Sequence, residues 1–391
     1  MKRIETPEPI WITSEAELAK HCANWLQESY LAIDTEFIRT STFYPKAGLI
    51  QVGDSHHSYL IDPLLIHDWT AFAQVLVHPF VVKVFHACLE DLEVCRCLTG
   101  ELPSPLVDTQ IAAALVGMAG SLSYQNLLKE VLKIDLPKEE TRSNWLERPL
   151  RSEQVAYAVA DVHFLHKAFA KLAKKLKELK RETWLSEDCE RLLRQFTKAE
   201  QPSSYVQRIK LAWKLNGQEL LLLQQLSIWR EQTARKINVP RGYVMSDDAL
   251  WNIARFKPQS AADLARADVP ANTINKREQE LTDLVAQVLK LPKNLWPKVL
   301  PKPMSRQAGE LLKKLKQLVA QRAQQLAIPS DTLCAKKSLK ELVKSGYGSG
   351  QYRLPEALQG WRKAEIGDAL IAYLIHNTDR NTIHDVNENP V

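Results

Sequence analysis

At 391 residues the chain is too long for one ordinary hydrophobic core and has room for two or three domains. Its 45% hydrophobic and 25% charged content excludes a disordered or fibrous chain, and no stretch reaches the roughly 18 consecutive apolar residues that would span a membrane. A formal net charge of +6 leans toward an anionic partner without selecting one.

The opening MKRIETPEPIWIT has charges and prolines where a secretory signal would be apolar. Cys22, Cys88, Cys95, Cys97, Cys189 and Cys334 show neither CxxC pairs nor zinc-type spacing. The expectation is a cytoplasmic protein with ordinary core thiols. IWIT (10–13) reads as a short strand, and Ser14 with Glu17 forms a capping box that opens a helix over SEAELAKHCANWLQ. YLAIDTEF, GLIQVGD and SYLID read as strands, the last two joined by the turn DSHHS that holds His56 and His57. WTAFAQVLVHP reads as a helix, VVKVFHA as a buried strand and LEDLEVCRCLTG as a helix ending at Gly100. From DTQIAAALVG onward the pattern is helical almost to the end. The expectation is an α/β domain with a mixed sheet, followed by all-α domains.

The helical part repeats itself. LLLLQQLSIWREQTARKINVP (220–240) aligns without gaps on GELLKKLKQLVAQRAQQLAIP (309–329), Pro240 falling on Pro329, 89 residues on. Leu223 meets Leu312, Leu226 meets Leu315, Ala234 meets Ala323 and Leu250 meets Leu339. Agreement at helix-core spacing over that interval argues for two copies of one helical module. Two basic zones flank them: Lys167, Lys171, Lys174, Lys175, Lys177, Lys180 and Arg181 around the single acid Glu178, and a second from Lys290 to Lys344. A Lys-rich helix is usually a solvated face, but two such zones also suit a phosphate backbone.

Chemistry points to the acids. On a strand, Asp34 and Glu36 share a face, where two carboxylates repel unless a cation lies between them. Asp91 falls in the first turns of a helix after a buried strand, and Tyr157 and Asp161 lie one helical turn apart. Singly each has a dull explanation, as a cap or a surface pair. Together, four acids from separate segments suit a pair of hard divalent cations, which clamp the attacking and leaving oxygens of a phosphodiester.

AIDTEF, VFHACLEDLEV and YAVADV resemble the three motifs of the DEDD exonuclease superfamily, in its tyrosine subclass. GLIQVGD, LVDTQIAAALVG, SLSYQNLLKEVL and TRSNWLERPL resemble, in order and spacing, the ribonuclease D family, and the repeats resemble HRDC modules over roughly residues 8–378. The resemblance implies an α/β ribonuclease H-like exonuclease domain over residues 1–205, HRDC domains over 206–295 and 296–380, and a tail, 381–391. It implies a 3′–5′ exoribonuclease that trims tRNA precursors and other small structured RNAs and releases nucleoside 5′-monophosphates. The expected partner is RNA, with no membrane attachment, and since nothing in the sequence calls for an oligomer the expectation is a monomer. Its cofactors would be two divalent metal ions, Mg²⁺ or Mn²⁺.

By position, Asp34, Glu36, Asp91 and Asp161 would be the metal ligands, with Asp34 bridging, and Tyr157 would place the nucleophile. Lys138 and Arg142 would hold the RNA backbone, a solvated loop being the plain alternative. His86 could approach a phosphate or sit satisfied in the core, Phe37 would pack, and Trp145 would pack in preference to stacking on a base. Two other functions fit less well: a DNA-directed exonuclease of the same superfamily, and a non-catalytic nucleic-acid-binding scaffold, against which five intact positions count.

Overall fold

A computed structural model describes residues 6–136, 143–300, 304, 306–347 and 349–385. The chain forms two compact units, one from residues 1–38, 47–193 and 304 onward, the other from residues 39–46 and 194–303.

The first unit is built on a six-stranded mixed sheet. Its strands are β1 (Ile10–Ile12), β2 (Tyr30–Ile38), β3 (Lys46–Gly53), β4 (Ser58–Ile61), β5 (Val82–Phe85) and β6 (Leu106–Asp108), in the order β1-β4-β3-β2-β5-β6. β4 runs parallel to β1 and antiparallel to β3, while β5 runs parallel to both β2 and β6. β6 went unforeseen because three residues are too few for a period-two signal; pairing of Lys83 with Leu106 and Phe85 with Asp108 makes it a strand. The central strand β2 is buried at Leu31, Ala32 and Ile33 before its acids begin.

Helices α1 (Glu15–Trp25), α2 (Thr70–Val77), α3 (Leu89–Thr99), α4 (Thr109–Leu115), α5 (Tyr124–Leu132), α6 (Ser152–Glu178) and α7 (Glu182–Ala199) alternate with the strands and follow them. Ser14 caps α1 as expected, and Glu17 reaches back to the Thr13 amide, at 2.9 Å, and to the Ser14 hydroxyl, at 3.0 Å. α3 stops at Gly100, whose φ of 78° suits glycine. α6 crosses directly over β3: a Cβ at Gly53 would lie 2.9 Å from the Val162 carbonyl oxygen, so only glycine lets the helix come this close.

The second unit is helical, with α8 (Pro202–Tyr205), α9 (Gly217–Lys236), α10 (Arg241–Val244), α11 (Asp247–Phe256), α12 (Ala261–Arg266) and α13 (Ala271–Leu289) around Leu222, Leu223, Leu226, Leu250, Ile253 and Leu281. The first unit ends in a similar set: α14 (Arg306–Leu326), α15 (Ser330–Leu333), α16 (Lys336–Gly346) and α17 (Asp368–Asp385). The repeat read from the sequence is visible here. α14, α15 and α16 each begin 89 residues after α9, α10 and α11, and Leu312, Leu315, Ala323 and Leu339 are buried like their counterparts. The copies then diverge, the second passing through a π-helical turn, Lys363–Gly367, into α17.

One residue of the first basic zone is misplaced by the sequence reading. Lys167, Lys171, Lys174, Lys175, Lys177 and Lys180 are exposed, but Arg181 is buried and donates to the carbonyls of Leu115 (2.6 Å) and Leu326 (2.5 Å). It ties together the C-termini of α4 and α14, where carbonyls lack helical partners. Five cysteines are buried thiols and Cys97 is exposed, so it is no core thiol. Among the described residues no helix is long and apolar enough to cross a membrane.

Candidate active site

β2 carries Asp34 and Glu36 two residues apart, and α6, lying across the sheet, brings Asp161 to them. Oxygens of these three carboxylates all lie within 4.8 Å of one another. At such a separation, under 4.8 Å, two full charges repel by about 3–4 kcal/mol at an effective dielectric near 20. Burial, then Asp161, then Asp91, hold the Asp34 carboxyl well above the usual carboxylate range. α3 begins just after β5 and places Asp91, itself buried, over the same part of the sheet. Burial pushes Asp91 up to about 7, against a hydrogen bond that favours its ionised form: Thr35 Oγ1 donates to Asp91 Oδ1 at 2.5 Å.

The donor set fits a hard divalent cation. Around an octahedral Mg²⁺ with bonds of about 2.1 Å, ligand oxygens lie about 3 Å apart in cis and about 4.2 Å in trans, and these carboxylate oxygens are already gathered within 4.8 Å. A bound cation would also remove the repulsion that now favours protonation.

Tyr157 sits on α6 one turn before Asp161, its ring 6.1 Å from that of Trp145. Trp145 is buried, in keeping with packing. His86 uses both ring nitrogens on the protein, Nδ1 with Thr109 Oγ1 at 2.9 Å and Nε2 with the Leu122 carbonyl at 3.0 Å. The carbonyl can only accept, so Nε2 carries a proton. Of its two readings, the satisfied one is the one seen. Lys138 and Arg142 lie outside the described residues.

Three residues escaped the sequence reading. Thr35 holds Asp91, and its position between two acids in DTE was the available signal. Tyr124 donates from its hydroxyl to the Asp161 carbonyl at 2.5 Å, fixing the turn of α6 that bears the acid. Asp108 accepts from the amides of Ala87 (3.0 Å), Cys88 (3.1 Å) and Gln110 (2.8 Å). It thereby caps α4 and holds the turn that launches α3, where Ala87 adopts a φ of 57°. The α4 cap by Asp108 is a local pattern, but its hold on Ala87 and Cys88, and that of Tyr124 on Asp161, join residues far apart in sequence.

A mixed sheet with convergent acids and trailing helical repeats is the architecture of a 3′–5′ exonuclease with HRDC modules. Residues 9–177 match the 3′–5′ exonuclease family, 219–285 the HRDC domain and 309–370 the C-terminal HRDC domain of ribonuclease D. Ribonuclease D of Pseudomonas paraeruginosa is 46% identical over 369 residues, covering 94% of this chain and 98% of its own. That of Escherichia coli is 34% identical over 367 residues, covering 92% and 96%. The crystal structure of Escherichia coli RNase D, described as an exoribonuclease involved in structured RNA processing, superposes with a TM-score of 0.86 at 32% identity over 95% of this chain and 99% of that one. The chain belongs to the ribonuclease D family and is a 3′–5′ exoribonuclease, a hydrolase.

Proposed function

We propose that the enzyme trims the 3′ ends of tRNA precursors and other small structured RNAs, releasing nucleoside 5′-monophosphates, at the cluster of Asp34, Glu36, Asp91 and Asp161. The observation that carries this reading is the meeting of the Asp34, Glu36 and Asp161 carboxylates within 4.8 Å in a chain of this family, with Asp91 bonded to Thr35 between the first two. Two divalent ions, Mg²⁺ or Mn²⁺, held by these four acids would supply positive charge at the scissile phosphate and lower the pKa of the attacking water. Asp34 responds to both Asp161 and Asp91, which suits it to a shared ligand. Thr35 keeps the Asp91 carboxylate aimed, and Tyr124 keeps the Asp161 turn in register. Tyr157, on the same face of α6 as Asp161, would orient the attacking water by accepting a hydrogen bond from it at the phenol oxygen.

RNA is repelled by four acids unless cations draw it in. The exposed lysines of α6, from Lys167 to Lys177, and the basic residues of the helical repeats supply that attraction, with Lys138 and Arg142, which precede α6 in sequence. We place the enzyme in the cytoplasm as a monomer, in line with its six free cysteines.

The test uses a 5′-labelled tRNA with a short 3′ extension beside a single-stranded DNA of similar length, each with Mg²⁺, Mn²⁺ or EDTA. A ladder shortening from the 3′ end of the RNA, absent in EDTA and much weaker on DNA, is expected. Equal degradation of DNA would instead favour the DNA-directed reading, and retarded but intact RNA the scaffold.

A further inference from the structure

The two helical copies share a backbone pattern but not a charge. At the 89-residue offset α16 falls on α11, and both bury the same stripe, Leu250 and Ile253 in the first copy, Leu339 and Leu342 in the second. Around that stripe the residue types differ. The exposed Asp247 and Asp248 in the first turn of α11 become the exposed Lys336 and Lys337 in α16, and Trp251 and Arg255 become Lys340 and Lys344. The long helix of each copy changes in the same direction, Gln224 and Gln225 of α9 becoming Lys313 and Lys314 of α14.

The fold does not ask for these lysines. A helix N-terminus carries partial positive charge, which acids stabilise and cations oppose. α11 obeys this: the Ser246 hydroxyl accepts from the Ala249 amide at 3.1 Å, and two aspartates fill the first turn. α16 breaks it, because Ala335 before it offers no side-chain cap and its first turn holds two lysines and no acid. Lys337 comes no nearer than 4.0 Å to Glu341, and Lys336, Lys340 and Lys344 form no ion pair among the described residues. Spaced four apart, these three make one exposed stripe with a positive charge about every 6 Å. A lysine-rich helix is usually a solvated face. The aspartates of the first copy would serve solvation as well and would suit the helix start better, so the lysines point to an anion from outside.

This stripe belongs to the unit that carries the acids. The turn before α15, and α15 itself, lie against residues 117–120: a Cβ at Gly117 would meet the Ala327 carbonyl oxygen at 2.7 Å, and one at Gly120 the Thr332 hydroxyl at 3.3 Å. From there the chain runs to Leu122, whose carbonyl takes the His86 hydrogen bond, and to Tyr124, which holds the Asp161 carbonyl. RNA held on α16 is held by the body that cuts it.

We infer that the second HRDC copy grips the RNA backbone along Lys336, Lys340 and Lys344 of α16, and that the equivalent face of the first copy does not. The substrate of an exoribonuclease is an extended line of phosphates, which a row of unpaired lysines matches in charge and repeat, without regard to base sequence. This inference rests on the reading that structured RNA is the substrate.

The experiment uses the full chain and a 5′-labelled tRNA with a short 3′ extension, its Kd read by fluorescence anisotropy in EDTA and its shortening followed with Mg²⁺ or Mn²⁺. A diribonucleotide, which fills the active site and little else, is assayed beside it. Lys336→Gln, Lys340→Gln and Lys344→Gln together should weaken tRNA binding about tenfold at low salt and flatten the dependence of log Kd on log salt by about 0.7–0.9 per lost contact, with kcat on the diribonucleotide unchanged. Lys336→Asp with Lys337→Asp, which gives α16 the first turn of α11, should raise the melting temperature while weakening tRNA binding, a combination that misfolding does not produce. Lys236→Gln, Lys276→Gln and Lys290→Gln, at three exposed lysines of the first copy, should move Kd by less than about twofold. An unchanged Kd in the α16 variants would overturn the inference, and so would equal losses from the two triple variants, which would reduce it to net charge. If the parent binds the tRNA without shortening it, the substrate reading fails, while the anisotropy arms still decide where RNA is held.

Discussion

Two aspartates of the first unit, the buried Asp188 and the half-buried Asp34, are treated in opposite ways. Asp188 of α7 is held by Arg362 through both guanidinium nitrogens (2.7 Å for the Nη2 bond), by Arg191 at 2.9 Å and by the indole of Trp361 at 3.0 Å. The Trp361 ring stacks on Trp184 with centroids 4.0 Å apart. Asp34 instead meets Asp161 and Asp91, whose charges oppose its ionisation. A structural acid is given cations by the protein itself, whereas a site acid is surrounded by its own kind and left to neutralisation from outside. The first arrangement ties the second HRDC copy to α7, and the second costs stability that a bound cation would restore.

The sharpest way to break the contrast is at Asp34. Asp34→Asn should lower hydrolysis on the order of a thousandfold or more while the melting temperature in EDTA stays level or rises, because a repelling carboxylate is gone. Activity and thermal melts on one preparation check it, and a melting temperature that falls along with the rate would remove the distinction.

Arg362→Met should do the reverse. Taking the guanidinium from a buried carboxylate costs about 3–5 kcal/mol, so the protein should unfold at clearly lower urea while the rate per folded molecule changes little. Urea titrations followed by far-UV circular dichroism read the loss.

A third buried charge falls between these cases. Lys83, fully buried in β5, is pushed down to about 7 by burial, while the carbonyls of His78 (2.9 Å), Val81 (2.6 Å) and Ser104 (2.7 Å) accept from its Nζ and pull the other way. Between about pH 7 and its unfolded value, 10.5, the unfolded chain binds a proton that the folded chain does not. Stability should therefore rise with pH through that window, by up to about 1.4 kcal/mol per unit, and the contribution should be constant below it. Lys83→Met should lose that slope. A slope in the parent confined to above about pH 9 would show that the three carbonyls offset most of the burial.

The smallest effect belongs to solvated charges. Lys167→Gln with Lys171→Gln should leave stability within about 0.5 kcal/mol and the diribonucleotide rate unchanged. On long RNA the double variant should raise KM at low salt and flatten its dependence on log salt by about 0.7 per lost contact to a single strand. A KM unmoved at every salt concentration would take these lysines off the RNA path.

What could be read from the chain alone was whatever depends on spacing. The pleat puts Asp34 and Glu36 on one face, the helical turn puts Tyr157 four residues before Asp161, and the 89-residue offset foretells helix starts in both copies. Those relations are set by backbone geometry within one element, or by one module folding twice. What joins separate elements was decided by tertiary structure: Thr35 holding Asp91, Tyr124 holding the α6 backbone, Arg181 withdrawn from the lysine face to tie two helix ends, and Phe43 held by the side chain of Asn238. Each depends on which carbonyl, amide or ring is left without a partner once the helices have packed. That is known only when burial has removed water as the alternative, and no local pattern of residue types encodes it.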